Sequence, residues 1–231
     1  MVTRDGIGCS TDAGAETVAT AASVPPAPSP RECVAKVWFL LSNMEMVPPL
    51  TDREKHIRIL SDPADRRYFT SNPGDEHYAL LEWLGARFPE KTIIDIGTYR
   101  GASALSLVAS GRSPVITIDC YDHASPLLAD VPGIARILDD AVDWLDTVEA
   151  AEIVPECPVI VLDVLHDGWT EKHIYRELEE LGFNGILILD DINLNDPMRR
   201  FWDGIDRPKL DLSRIGHHTG TGAVLFDGSR T

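Results

Sequence analysis

The sequence predicts an α/β protein built on one doubly wound, mostly parallel sheet of about seven strands, with helices on both faces and an antiparallel strand at the C-terminus. Short runs rich in isoleucine and valine alternate with helical segments from Lys91 onward, and they occupy 92–96, 115–118, 159–162 and 186–189. Each run is apolar on both faces, which is typical of central parallel strands covered by helices. An aspartate directly follows the last three runs, at the strand ends where ligands of such sheets bind. The alternation therefore indicates a Rossmann-like architecture.

The N-terminal part of the chain is predicted to cover this sheet rather than to add strands to it. Residues 1–30 are rich in Ala, Ser, Thr and Pro and lack apolar periodicity, so they are predicted to form a disordered tail. Order is predicted to begin near residue 31, where Val34, Val37 and Leu41 form the stripe of an amphipathic helix. Residues 31–231 are predicted to be a single domain, with a helical cover over 31–90.

The remaining elements come from the segments between and after the four runs. Helices are predicted at about 102–110 and 170–181, and a further strand is predicted at 135–138. The stretch 209–226 is predicted to contain two strands, with three glycines between them. The second of these strands is the predicted antiparallel strand.

Composition and charge exclude several classes of partner. The chain has 37 acidic and 21 basic residues and a formal net charge of −16, so it repels phosphate backbones and is not expected to act on nucleic acid. No apolar stretch of about 18 residues occurs, so no membrane span is expected. The four cysteines lack metal or redox spacing, and no secretion signal is recognisable, which predicts a cytoplasmic protein in which Cys120 and Cys157 are buried thiols. A homo-oligomer is compatible with the sequence.

A glycine loop follows the first strand and opens a helix. It spans 95–103, and its glycines allow a tight turn and close approach of a ligand to the backbone. A helix N-terminus also favours a carboxylate or phosphate group. Asp119 ends the next strand, where an acid takes ribose hydroxyls in nucleotide-binding units. A tight strand–helix turn without a ligand is the alternative interpretation.

The spacing of this loop, Asp-x-Gly-x-x-x-Gly, differs from that of dinucleotide-binding loops and resembles motif I of class I S-adenosylmethionine-dependent methyltransferases. The resemblance implies S-adenosylmethionine as cofactor, with its ribose on Asp119. It implies adenine contacts after the strand 135–138, at Asp140 and Ala141, whereas Trp144 is either a further contact or a core aromatic. The connection from Asp119 to that strand is short for the family, so its helix is predicted to be missing or irregular. The residues implied around the methionine moiety are Asp95, Gly97, Tyr99, Gly101 and Ser103.

Acids and a histidine follow the next two strands. Asp163 and His166 come after 159–162, and Asp190 and Asp191 come after 186–189. These strands are neighbours in the expected order, so three carboxylates and one imidazole meet. Carboxylates that close need a compensating cation, and hard oxygen ligands suit Mg²⁺. The alternative is that the acids cap loops and the histidine is solvated.

This arrangement resembles the metal-dependent O-methyltransferases of the catechol and macrolide-sugar types. In the sugar enzymes a histidine stands three residues after the first aspartate, as His166 does here. The resemblance implies that Asp163, Asp190 and Asp191 bind Mg²⁺, that His166 is the general base, and that the acceptor is a small-molecule hydroxyl of a natural product, sugar or catechol-like compound. Asp191 replaces the asparagine of the catechol enzymes.

Three rival functions remain open. A metal-independent methyltransferase would use the acids to bind substrate amines, and a binding protein would keep the cofactor without catalysis. A nucleotide-dependent oxidoreductase is disfavoured by the glycine spacing. Near the C-terminus, His217 and His218 either line the acceptor pocket or lie in a hairpin, and at most one faces a site because adjacent strand side chains point to opposite faces.

Overall fold

A seven-stranded sheet with helices on both sides organises the chain. The computed structural model describes residues 29–51, 53–60, 62, 65–70 and 74–228. The predicted tail, 1–30, lies outside the described residues except for its last two positions. The strand order is β3-β2-β1-β4-β5-β7-β6; β7 runs antiparallel to both β5 and β6, and the other pairs are parallel. The strands are β1 (Ile93–Ile96), β2 (Val115–Asp119), β3 (Ile134–Leu138), β4 (Val159–Leu162), β5 (Ile186–Asp190), β6 (Lys209–Asp211) and β7 (Thr221–Leu225). The predicted fold class is confirmed.

The described residues before the sheet form three helices and a 3₁₀ turn. They are α1 (Pro30–Ser42), α2 (Arg53–Ile59), the 3₁₀ turn Asp65–Phe69 and α3 (Gly74–Gly85). Helix α1 begins with a capping box, in which Ser29 accepts from the Glu32 N–H while the Glu32 carboxylate accepts from the Ser29 N–H. The Pro-containing stretch that holds α2 carries no strong periodicity, which is why the sequence does not reveal this helix.

Five helices connect or follow the strands. They are α4 (Ala102–Val108), α5 (Ala141–Leu145), α6 (Val148–Ile153), α7 (Thr170–Glu180) and α8 (Asp196–Asp203). Between β2 and β3 the chain forms only 3₁₀ turns at Pro126–Asp130, so the irregular connection expected there is confirmed. No helix among the described residues is both long and apolar enough to cross a bilayer.

Two apolar cores cover the two faces of the sheet. Successive residues of one strand belong to different cores, as Ile93 and Ile94 do, because strand side chains alternate between faces. One core packs against the N-terminal cover and α4, and the other packs against α5, α7 and α8. Burial on both faces explains why the central strands are continuous apolar runs. It also leaves the strand ends as the place where polar side chains reach solvent.

Candidate active site

A cavity of about 560 Å³ lies at the carboxyl ends of β1, β2, β4 and β5. Its volume is within the range of small-molecule sites, and its place is the one expected for ligands of a doubly wound sheet. Asp95 and Gly101 are not part of its lining. The other residues predicted from the sequence to form the site all border the cavity: Gly97, Tyr99, Ser103, Asp119, Asp140, Ala141, Asp163, His166, Asp190 and Asp191.

The glycine loop requires its glycines for packing. Gly97 and Gly101 have φ values of +106° and +93°, a region that residues with side chains rarely adopt. A Cβ atom on Gly97 would clash with the carbonyl oxygen of Asp163, and one on Gly101 would meet the side chain of Leu128. The turn thus lets the chain pass against the end of β4 and places the Tyr99 backbone at the cavity wall.

Asp95 supports this loop from inside the protein. One carboxylate oxygen accepts hydrogen bonds from Ser103 Oγ (2.9 Å) and Thr117 Oγ1 (2.7 Å), while the other is buried without a hydrogen-bond partner. Burial raises the pKa of Asp95 to about 7, although the two hydroxyl donors oppose the shift. Asp95 therefore positions Ser103 and the loop, and it does not face the cavity as the family resemblance implied.

Asp119 joins the end of β2 to the glycine loop. Its two carboxylate oxygens accept from the backbone N–H groups of Tyr99 (2.7 Å) and Tyr121 (2.9 Å). A carboxylate has about four acceptor positions, so Asp119 can still accept from hydroxyl donors in the cavity. The neighbouring Cys120, expected to be buried, is exposed beside the cavity because it follows the last residue of the strand.

The region implied to contact adenine follows β3. Asp140 caps α5 by accepting from the Val142 N–H at 2.8 Å, and Ala141 begins that helix at the cavity wall. Trp144 is 2 % exposed and belongs to the core, so the interpretation as a core aromatic is correct. Helix α5 places its first residues, rather than its tryptophan, beside the cavity.

Asp163, His166 and Asp191 form one group on the opposite side of the cavity. The Nε2 atom of His166 lies 3.0 Å from Asp163 Oδ1 and 3.3 Å from Asp191 Oδ2. Buried Glu171 of α7 holds the backbone of this loop, because its carboxylate accepts from the N–H groups of His166 (2.6 Å) and Gly168 (2.8 Å). His166 and Asp191 have φ values of +56° and +57°, so both side chains are aimed by strained backbone.

Burial and neighbouring charges together shift the pKa values of His166 and Asp163. Burial alone would lower the pKa of His166, but the carboxylates of Asp163 and Asp191 outweigh it and raise that pKa to about 9. Burial raises the pKa of Asp163 to about 6, against the opposing effect of His166. The imidazolium thus supplies part of the positive charge that three adjacent carboxylates require.

Asp190 forms a second group with two histidines from distant parts of the chain. His217 Nδ1 lies 3.0 Å from both carboxylate oxygens of Asp190, and His77 Nδ1 of α3 lies 3.7 Å from Oδ1. The two imidazoles stack with centroids 4.3 Å apart and planes inclined by 18°. Burial lowers the pKa of His77 to about 4, so this imidazole is neutral at pH 7. His218 is exposed, which agrees with the expectation that at most one of the pair faces a site.

The sequence did not single out His77. The missed signal is its place in the buried stripe of α3, where His77, Leu80, Leu81 and Leu84 follow helical spacing and are all buried. A histidine in such a stripe needs a polar partner, and here the partners are Asp190 at the end of β5 and Thr221 at the start of β7.

The donor atoms fit the implied ligands unequally. Asp119 offers hydrogen-bond acceptors, as the hydroxyls of a ribose require. The glycine loop allows an amino acid to approach its backbone closely. The three carboxylates predicted to bind Mg²⁺ border one cavity, but Asp163 and Asp191 converge on His166 whereas Asp190 converges on His77 and His217. Within the part of the chain that the structure describes, the one His/Cys/Asp/Glu group compact enough for an ion is His77, Asp190 and His217.

Comparison with solved structures confirms the Rossmann-like fold. Its sequence matches no family model, and no curated protein matches it either. It is similar to an O-methyltransferase from Bacillus cereus in complex with S-adenosylhomocysteine (19 % identity, TM-score 0.54), covering 85 % of this chain and all of the other.

Two further solved structures agree in fold. An S-adenosylhomocysteine-bound methyltransferase from Podospora anserina has a TM-score of 0.53 at 18 % identity, over 90 % of this chain and 100 % of its own. The O-methyltransferase TomG from Streptomyces achromogenes, in complex with S-adenosylmethionine and involved in tomaymycin synthesis, has a TM-score of 0.51 at 17 % identity, over 83 % and 95 %. At these identities the likeness establishes the fold.

Proposed function

We propose that this chain is an S-adenosylmethionine-dependent methyltransferase that methylates a hydroxyl group of a small molecule. The observation that carries the proposal is one cavity with two chemically different sides. Asp119 and the glycine loop form one side, and Asp163, Asp190, Asp191 and three imidazoles form the other. Similar folds that hold this cofactor or its demethylated product support the assignment.

On the cofactor side of the cavity, each lining group contacts a different part of S-adenosylmethionine. The ribose hydroxyls donate to the free lone pairs of Asp119, whose orientation is already held by two backbone N–H groups. The methionine part lies against Gly97 and Tyr99, with Ser103 beside it, and adenine lies against Asp140 and Ala141. Asp95 acts indirectly, because it holds Ser103 in place.

The acceptor side must align an oxygen nucleophile and remove its proton. Methyl transfer is a displacement at the sulfonium carbon, so the reacting oxygen has to lie in line with the bond that breaks. We assign Asp163, Asp190 and Asp191 as ligands of Mg²⁺ and His166 as the proton acceptor. The carboxylates that hold a proton on His166 would then be neutralised by the ion, which would lower the pKa of the imidazole and free it to accept the proton. The bound ion would lower the pKa of the acceptor hydroxyl. Glu171 and the strained backbone at His166 hold the imidazole in position.

A metal-independent methyltransferase is the second candidate. It is favoured by the contacts of His166 with Asp163 and Asp191, which offset part of the carboxylate charge without an ion. In that case the carboxylates would bind an amine or a hydroxyl of the acceptor directly.

The test is a methyl-transfer assay on a panel of catechol-like, sugar and other hydroxylated acceptors, with S-adenosylhomocysteine as the measured product. The proposal predicts acceptor-dependent product, loss of product in excess chelator and recovery on adding Mg²⁺. Turnover that persists in chelator would support the metal-independent candidate. Absence of turnover with every acceptor, despite tight cofactor binding, would favour a binding protein.

A further inference from the structure

A cluster of two histidines and one aspartate closes the acceptor side of the cavity. His77 comes from α3, Asp190 from the end of β5, and His217 from the turn that precedes β7. Their ligand atoms all lie within 4.8 Å of one another. His77 and Asp190 are 2 % and 3 % exposed. Three chain segments thus bring two nitrogens and a carboxylate together at a buried point of the cavity wall.

The distances match those between ligands of one ion. Metal–ligand bonds of about 2.1 Å separate neighbouring ligand atoms by roughly 3.0 Å at right angles and by roughly 3.4 Å in a tetrahedron. The Nδ1 atom of His217 is 3.0 Å from each oxygen of Asp190, and His77 Nδ1 is 3.7 Å from the nearer oxygen. The His77 distance is thus close to the tetrahedral spacing, and the His217 distances match the right-angle spacing.

The surrounding contacts hold both imidazoles toward Asp190. The hydroxyl oxygen of Thr221 lies 3.1 Å from His77 Nδ1 and accepts from the His217 N–H at 2.9 Å. The stacked rings present the same nitrogen to the carboxylate, since each places Nδ1 on that side. A site of this kind is built by the fold and does not depend on mobile surface side chains.

We propose that His77, Asp190 and His217 bind a first-row transition-metal ion, and that the chain prefers such an ion to Mg²⁺. Imidazole nitrogens favour Fe²⁺, Ni²⁺, Cu²⁺ and Zn²⁺, whereas Mg²⁺ prefers a shell of oxygens. The site differs from the all-carboxylate magnesium set by its two histidines and shares Asp190 with it. The site lies at the acceptor side of the cavity, so its role there rests on the proposed function. The binding of the ion is nevertheless measured without cofactor or acceptor.

The experiment is a calorimetric titration of the full-length, metal-free, tag-free chain with Ni²⁺ and, separately, with Mg²⁺. We expect one Ni²⁺ per chain, bound at least about 100-fold more tightly than Mg²⁺ at the same pH. His217→Gln and His77→Gln should each weaken Ni²⁺ binding by more than about tenfold, the least that loss of a supporting group costs. Circular dichroism checks that each variant is folded, and half-buried His217 serves if the His77 variant does not fold.

Two control variants locate the ion. His218→Gln removes the exposed neighbour of His217 and should leave Ni²⁺ affinity unchanged. Asp163→Asn removes a carboxylate that lies outside the cluster and should also retain the preference for Ni²⁺. Equal affinity for the two ions overturns the proposal, as does Ni²⁺ binding that survives His217→Gln and is lost in Asp163→Asn. S-adenosylmethionine binding by the metal-free chain tests the proposed function separately.

Discussion

Ionisation of buried Asp95 should make the protein less stable as pH rises, and Asp95→Asn should remove that dependence. The pKa of Asp95 is about 7 in the folded protein against an ordinary value of 3.8, because burial penalises the charge. The folded state therefore holds the proton on Asp95 more tightly than the unfolded state does. The stability that Asp95 contributes is fully present below about pH 4 and is lost as pH rises through 7. At 1.36 kcal/mol per pKa unit, the wild type loses about 2–3 kcal/mol through Asp95 between pH 5 and 8.

The assay is urea unfolding of the wild type and Asp95→Asn at several pH values in that range. The amide still accepts from Ser103 and Thr117, so the folded loop is retained and the comparison isolates the charge. The unfolding free energy of Asp95→Asn, measured relative to that of the wild type, should increase by about 2–3 kcal/mol from pH 5 to pH 8. Asp130→Asn, which changes an exposed carboxylate, is the control. Parallel pH profiles for Asp95→Asn and the wild type would refute the reasoning.

Three further predictions concern the loop, the base and the tail. Glu171→Ala leaves the N–H groups of His166 and Gly168 without an acceptor and should lower the unfolding free energy by about 1–3 kcal/mol. Glu180→Ala, at the exposed end of the same helix, should not lower it. Equal effects of the two variants in denaturant unfolding would contradict this prediction. His166→Ala should lower the rate of methyl transfer about 10²–10⁴-fold with ion binding retained, and full activity at neutral pH would exclude it as the base. A chain that begins at Ser29 should keep the wild-type melting temperature and activity. A chain that begins at Arg31 lacks the Ser29 cap of α1, and its unfolding free energy should be about 1 kcal/mol lower. Unfolding of the first truncation would show that residues 1–28 contribute to the structure.

The sheet was predictable because its strands carry their own signal. Strands buried on both faces must be continuously apolar, and this makes β1, β2, β4 and β5 visible as runs. Helix α2 was not predictable, because its short polar sequence gains its order from packing on α4 and on the 3₁₀ turn Asp65–Phe69.

The site was predictable where a residue follows a strand. Asp119, Asp163 and Asp190 were found because parallel strands end at one edge of the sheet. The partners of these acids were harder to predict. His77 lies 113 positions before Asp190 in the chain, and only the packing of α3 against the sheet brings them together. The separation of the carboxylates into two groups likewise depends on backbone conformation at His166 and Asp191.

Calorimetric titration with S-adenosylmethionine tests the central claim most directly. The wild type should bind with micromolar affinity, about −8 kcal/mol, and Asp119→Ala should bind about 1–3 kcal/mol more weakly because the ribose hydroxyls lose their acceptor. Asp130→Ala, which changes an exposed carboxylate outside the cavity, should match the wild type. No binding by the wild type, or equal binding by Asp119→Ala, would contradict the assignment of this cavity to the cofactor.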